Sequence, residues 1–155
     1  MTGRIEQRLR ELGIELPQTA APAGAYVPFI LTGKLVFISG QLPIWNGELR
    51  YKGKVGQEFT VEEGYQGARL CGLNILAQVK AATGGDLDRV ARCLKLGGFV
   101  ASGPDFFDHP KVLNGASDLM AQVFGDAGKH VRFAVGAPAL PLGVAVEIES
   151  VFELA

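Results

Sequence analysis

The chain has 155 residues, with 15 Lys and Arg against 16 Asp and Glu, a formal net charge of -1 and a pI near 6.1. That balance provides no basic stripe to hold a phosphate backbone, so nucleic acid is not an expected partner, and the length suits one domain with a real core. Hydrophobic residues make up 48% of the chain and charged ones 20%, with a mean hydropathy of +0.20, so surplus apolar surface favours burial between copies of the chain.

The first segment, "MTGRIEQRLRELGIELP", is an amphipathic helix pattern with Ile5, Leu9 and Leu12 on one side. It lacks the basic region and apolar stretch of a signal peptide. No apolar run approaches the roughly 18 residues of a membrane span. Two cysteines, Cys71 and Cys93, form no ligand spacing and read as free, buried thiols of a reducing compartment. A cytoplasmic location is the expectation.

After this helix, "LPQTAAPAGAYVP" is an aperiodic surface arm. "FILTGKLVFISGQ" reads as a hairpin turning at Thr32-Gly33-Lys34, and "GELRYKGKVG" as a further short strand or arm. Thr60 and Glu63 have the spacing of a capping box, which starts a helix carrying Tyr65, Ala68, Cys71, Ile75, Val79 and Ala82 at helical period. "RVARCLKLGGFVAS" reads as a long strand interrupted at Gly97-Gly98 by a bulge. A second helix is expected over 110–124, with Asp108 as N-cap and Val112, Ala116, Leu119 and Val123 inward. The predicted fold is α+β, a mixed β-sheet with two main helices on one face.

The closing stretch, "KHVRFAVGAPALPLGVAVEIE", holds the chemistry. Val144, Val146, Ile148, Phe152 and Leu154 alternate toward the helices, leaving Glu147 and Glu149 on the other face. Val131, Phe133 and Val135 alternate too, which places Arg132 and Ala134 opposite them. An antiparallel hairpin with Val135 across from Val144 sets Arg132 across from Glu147. Two readings of that pair stand side by side: a cross-strand ion pair on a solvated face, or an arginine forked onto a substrate carboxylate beside a carboxylate that positions or deprotonates water.

Other groups carry less. His109 sits at a helix start, and His130 is expected on the far side of the strand from Arg132. Neither has a second ligand at metal spacing. Ser39 lacks a nucleophile elbow. The 21 glycines match neither a phosphate-binding loop nor a dinucleotide fingerprint. Trp45 reads equally as a loop anchor or a ligand platform.

The set "GAYVP" (24–28), "ISGQLP" (38–43), "LCGLNILAQVKAA" (70–82), "KVLNG" (111–115), "HVRFAV" (130–135) and "LPLGVAVEIE" (140–149) resembles the Rid/YjgF family of reactive-intermediate deaminases over about residues 20–152. Residues 1–16 lie outside the resemblance as an N-terminal helical extension, with 17–155 as the single Rid/YjgF-like domain. The resemblance implies a chorismate-mutase-like fold and a homotrimer with sites between subunits. It implies hydrolysis of enamine and imine intermediates, such as 2-aminoacrylate and 2-iminopropanoate, to 2-keto acids and ammonia, with no metal or organic cofactor. By position, Arg132 resembles the family arginine that holds the substrate carboxylate and Glu147 the acid that orients water. Tyr26 matches an aromatic lining the cleft, Gly40 a backbone contact, and Asn114 a nearby polar group. Three departures bear on substrate choice: Ala134 replaces a frequent cysteine, Ala25 a frequent proline, and the segment between Asn114 and Arg132 is longer. Two alternatives accompany this reading: a non-catalytic trimer that binds small carboxylates, and the ribonuclease or translation inhibitor of older family labels. The second lacks a basic face and a paired acid/base histidine.

Overall fold

The computed structural model describes residues 3–155. Five strands form one mixed sheet in the order β1-β2-β7-β5-β6, where β1 is Phe29–Thr32, β2 Leu35–Gln41, β5 Val90–Ala101, β6 Val131–Ala137 and β7 Val146–Leu154. Two further strands, β3 (Ile44–Trp45) and β4 (Glu48–Leu49), make a separate small hairpin. Its turn residues Asn46 and Gly47 both have positive φ, 49° and 87°, as a two-residue hairpin requires. The short strand or arm expected here is thus one arm of a hairpin, for which Asn-Gly is a strong signal.

The expected β1–β2 hairpin is present, with Thr32 paired to Leu35. The capping box is present too: Thr60 Oγ1 accepts from the Glu63 N–H at 3.1 Å, and Glu63 Oε1 accepts from the Thr60 N–H at 3.0 Å. It opens α2, Val61–Ala82, which crosses the β2–β7 side of the sheet. The third helix, α3, His109–Phe124, covers β5 and β6 and lies against α2. Asp108 holds the N-cap position without a side-chain cap, its carboxylate lying 3.5 Å from Lys111 Nζ instead. Both helices therefore sit on one face of the sheet, as expected.

Between helices and sheet lies the core, with Ile75, Leu76, Leu96, Leu113, Met120, Ile148 and Phe152 among its largest fully buried side chains. Burial of each such side chain contributes roughly 1.5–3 kcal/mol. The first helix, α1, Arg4–Glu11, inserts Ile5 and Leu9 into this same core. The N-terminus of α1 has no side-chain cap of its own. The Asp88 carboxylate accepts from the backbone N–H groups of Arg4 (2.9 Å) and Ile5 (2.8 Å), and these bonds hold its pKa below the ordinary value. Cys71 and Cys93 are free and buried, and burial raises both thiols, Cys93 to about 12.

Two expectations about the strands are corrected. β5 is not interrupted at Gly97-Gly98; its register shifts fall between Val90 and Lys95. The glycines serve close packing, since a Cβ on Gly98 would meet the Leu113 side chain of α3 and one on Gly97 the Phe133 ring. The second correction reaches the site. β6 and β7 do not form a hairpin: β6 pairs parallel to β5, and β7 pairs antiparallel on the other side of β5. The chain leaves β5, returns through α3, enters β6, and only then crosses back to β7. A parallel β5–α3–β6 unit of this kind needs a crossover helix, and α3 supplies it.

Candidate functional site

With β5 between them, Arg132 pairs with Leu96 and Glu147 with Phe99. Leu96 is buried beneath the helices while Phe99 is 38% exposed on the open face. Arg132 therefore belongs to the helix-covered face and Glu147 to the open one, two strand spacings, or about 9–10 Å, apart across the sheet. The facing Arg132–Glu147 pair expected from the sequence does not exist within one chain. Val131, Phe133 and Val135 lie on the open face, because β6 is an edge strand whose outward pattern is apolar. Its alternation was read correctly and assigned to the wrong side.

What the structure brings together is two separate groups of the candidate residues. In the first, Arg132 reaches α3. Its Nη1 donates to Asn114 Oδ1 (2.9 Å) and Ser117 Oγ (3.1 Å), and its Nη2 donates to the Pro110 carbonyl (3.4 Å). The Nε–H and one Nη2–H have no protein partner among the described residues, donors of the kind that bind a carboxylate. Behind the arginine, His130 Nδ1 lies 2.7 Å from the Gly128 carbonyl and Nε2 lies 2.9 Å from Ser117 Oγ. A carbonyl can only accept, so Nδ1 carries a proton, and in the neutral imidazole Nε2 then accepts from the Ser117 hydroxyl. The relay Arg132–Ser117–His130–Gly128 fixes the guanidinium. His130, expected to face away from Arg132, is thus tied to it through Ser117. Ser117 was missed altogether, though its three-residue spacing from Asn114 puts both on one face of α3.

The second group is built from β2, β7 and the arm before β1. Pairing of β2 with β7 shifts between Ile38 and Gln41, a bulge at Ser39-Gly40. Gly40 lies directly against the Glu147 carboxylate, where a Cβ would collide with it. Glu147 is half-buried and, among the described residues, has neither a hydrogen-bond nor an ion-pair partner. Burial first, and the Glu149 charge second, raise its pKa above the usual 4.5. Glu149 itself takes Lys95 as partner at 3.4 Å. Tyr26, 50% exposed, accepts a hydrogen bond from the Ala23 N–H at its hydroxyl and forms the wall between two cavities. One, about 220 Å³, is lined by Ser39, Gly40, Gln41 and Leu142; the other, about 530 Å³, lies on the open face by Phe37, Lys95 and Glu149. Leu142 has φ of 59°, a left-handed conformation costly for a non-glycine residue, and sequence reasoning did not find it.

Trp45 is half-buried in β3 and lines a small surface cavity with Arg50, Tyr51 and Arg69. Among the described residues no group of three or more His, Cys, Asp or Glu is placed to hold a metal ion, and no helix is long and apolar enough to cross a membrane.

A mixed sheet with a parallel β-α-β edge and two long helices on a single face defines an α+β protein of the chorismate-mutase-like kind. The family model described as "YjgF/chorismate_mutase-like, putative endoribonuclease" matches residues 6–154, and the chain belongs to this YjgF family. Protein TCP17 of Trypanosoma cruzi is 46% identical over 154 residues, covering 99% of this chain and 96% of that protein. The crystal structure of Atu1372 from Agrobacterium tumefaciens, described as of unknown function, is 48% identical with a TM-score of 0.91, covering 97% of this chain and 92% of that one. A protein of Shewanella oneidensis described as a putative endoribonuclease is 39% identical with a TM-score of 0.94, covering 98% and 100%. RidA from a Psychrobacter species is 27% identical at a TM-score of 0.59, covering 88% and 94%.

Proposed function

We propose that this protein is a hydrolytic deaminase of 2-imino and 2-enamino acids, working at a site shared between copies of the chain. The observation that carries the reading is the division of the candidate residues. Among the described residues, Arg132 keeps unpartnered N–H donors on one face, and Glu147 stands as an unpaired carboxylate on the other. Each is half of a site for a small charged substrate, and a second copy brings the missing half. The open sheet face supports such assembly, because Ile30, Phe37, Phe99, Val131 and Val135 all stand exposed on it. A homotrimer closes the arrangement, each copy giving Arg132 to one neighbour and Glu147 to the other.

In the proposed reaction, Arg132 binds the carboxylate of R–C(=NH2+)–COO−, with Asn114 beside it. Glu147 as carboxylate accepts a proton from water while the water oxygen bonds to the imine carbon, giving a neutral carbinolamine nitrogen. The proton returns from Glu147 to that nitrogen, the C–N bond breaks to release ammonia, and the carbinol hydroxyl proton passes to that ammonia as the ketone forms. Water plus iminium acid thus becomes 2-keto acid plus ammonium. A raised pKa suits a group that takes and then gives one proton near neutrality. The imine carbon is already electrophilic, so orientation supplies most of the acceleration and no resident cofactor is required by the scheme. With an enamine such as 2-aminoacrylate, the protonated form of Glu147 first delivers its proton to the terminal carbon.

The test is complementation between inactive variants. Imines made in place by an amino-acid oxidase are followed to keto acid with Arg132→Ala, with Glu147→Ala, and with the two co-refolded. Each alone is expected to match the buffer rate, whereas the mixture regains about a quarter of wild-type activity, since random assembly pairs intact halves that often. No recovery in a mixture of correct mass overturns the shared site. Wild-type rates equal to buffer overturn the deaminase, and saturable keto-acid binding without turnover then leaves a carboxylate-binding protein.

A further inference from the structure

A cavity of about 390 Å³ opens where β5 and β6 end beside the start of α3, lined by residues that belong to neither of the two groups. Its size falls in the range of small-ligand pockets. Phe106, Phe107, Pro104 and Pro138 give it apolar walls, and Phe107 is left 78% exposed at the mouth. An aromatic residue so exposed is more than a wall needs, and it offers a ring for stacking.

The base of the cavity is polar. Ser102 is 6% exposed; its hydroxyl lies 3.1 Å from the Val100 carbonyl and 3.2 Å from His109 Nε2. Phe106 stacks edge-on against the His109 ring at 5.2 Å between centroids, which holds the imidazole in place. Among the described residues His109 Nδ1 has no protein partner. Room at this point depends on Gly136: a Cβ there would come within 2.6 Å of His109 Nε2 and 3.0 Å of Ser102 Oγ. Lys54 completes the lining and is half-buried, with no carboxylate in ion-pair contact with its ammonium group among the described residues. Glu58 binds the Lys54 backbone N–H at 2.9 Å, and the Lys54 charge adds to the lowering of its pKa without an ion-pair contact.

We infer that this cavity is a second binding site, for a small organic acid with an aromatic body. The ring stacks between Phe106, Phe107 and the prolines, and the carboxylate meets Lys54, with the His109–Ser102 pair as the polar contact at the other end. Apolar walls give affinity without choosing a ligand, while one unpaired cation and one fixed imidazole choose charge and orientation. The site does not rest on the deaminase reading, because no residue of it belongs to the proposed reaction.

The test is a titration of the full chain with 3-(4-hydroxyphenyl)propanoate, followed by amide chemical shifts and set beside the neutral 3-(4-hydroxyphenyl)propan-1-ol. The expected result is saturable shifts at Gly103, Phe107 and Ala137, with the acid binding roughly tenfold tighter than the alcohol, the difference typical of a hydrogen-bonded charge. Gly136→Val, which fills the base, is expected to abolish binding. Lys54→Met, which leaves the strands untouched, is expected to weaken the acid roughly tenfold and spare the alcohol. Arg132→Ala is expected to change neither. No saturable shift, shifts confined to Asn114, Ser117 and Arg132, or equal affinity for acid and alcohol in the wild type each overturns the assignment.

Discussion

The two faces of the sheet are made from the same kinds of residue and do opposite things. On the helix-covered face Val36, Leu96, Val100, Val146, Ile148 and Phe152 have no exposure at all. On the other, Phe37, Phe99 and Val135 remain 45%, 38% and 43% exposed. The first face has found its partner within the chain and the second has not. The difference is that the open face is interspersed with Lys95, Glu147 and Glu149, too much charge for a dry core and too little for a solvated surface. A face of that composition fits an interface that also houses a site.

The largest effect that sharpens this contrast is on turnover. Arg132→Ala and Glu147→Ala, one on each face, are each expected to lower kcat/KM for iminopropanoate by about 10³-fold or more, since in the proposed reaction the first holds the substrate carboxylate and the second activates the water. Next comes stability. Leu113→Ala, which vacates the place that Gly98 opens for it, is expected to cost about 2–5 kcal/mol in urea unfolding. By contrast, Phe99→Asp on the open face is expected to change the mass in light scattering, releasing single copies that keep their far-ultraviolet dichroism.

Smaller effects follow. Ser117→Ala is expected to raise KM about tenfold with little change in kcat, because the loosened guanidinium binds carboxylate less well while Glu147 is untouched. Glu147→Gln tests pH. A carboxyl whose folded pKa lies above 4.5 favours the fold while protonated, so that contribution is complete below 4.5 and is lost as pH rises through the raised value. The glutamine variant is therefore expected to melt slightly above wild type at pH 7, with the gap closing near pH 4.

Most of the architecture was legible because local signals announce themselves. The Thr60–Glu63 box, the Thr32-Gly33-Lys34 turn and the α3 stripe are all read within a few residues. The partner of β6 was not legible in that way. Its closeness in sequence to β7 invited a hairpin, but β6 joins β5, whose paired residues lie 36 positions earlier, as Leu96 to Arg132. Alternation is unchanged by which neighbour a strand takes, so the pattern could not decide the face of Arg132. For the site, the resemblance implies Asn114, Arg132, Gly40 and Glu147 singly, and the fold sets Asn114 against Arg132 and Gly40 against Glu147. Their separation into two groups, and the supporting Ser117–His130 relay, depend on strand order and needed coordinates.

The Asp88 carboxylate that binds the first turn of α1 has a consequence for the order of folding. It acts on residues 84 and 83 positions earlier, so the eight-residue α1 has no local means of holding its start. An isolated helix of that length is marginal in water, and loop closure over such a span is slow to be rewarded. α1 therefore settles only after the entrance to β5 has formed, as a latch on a finished body. Its amides are expected to be the last protected in refolding and the first to exchange in the native protein.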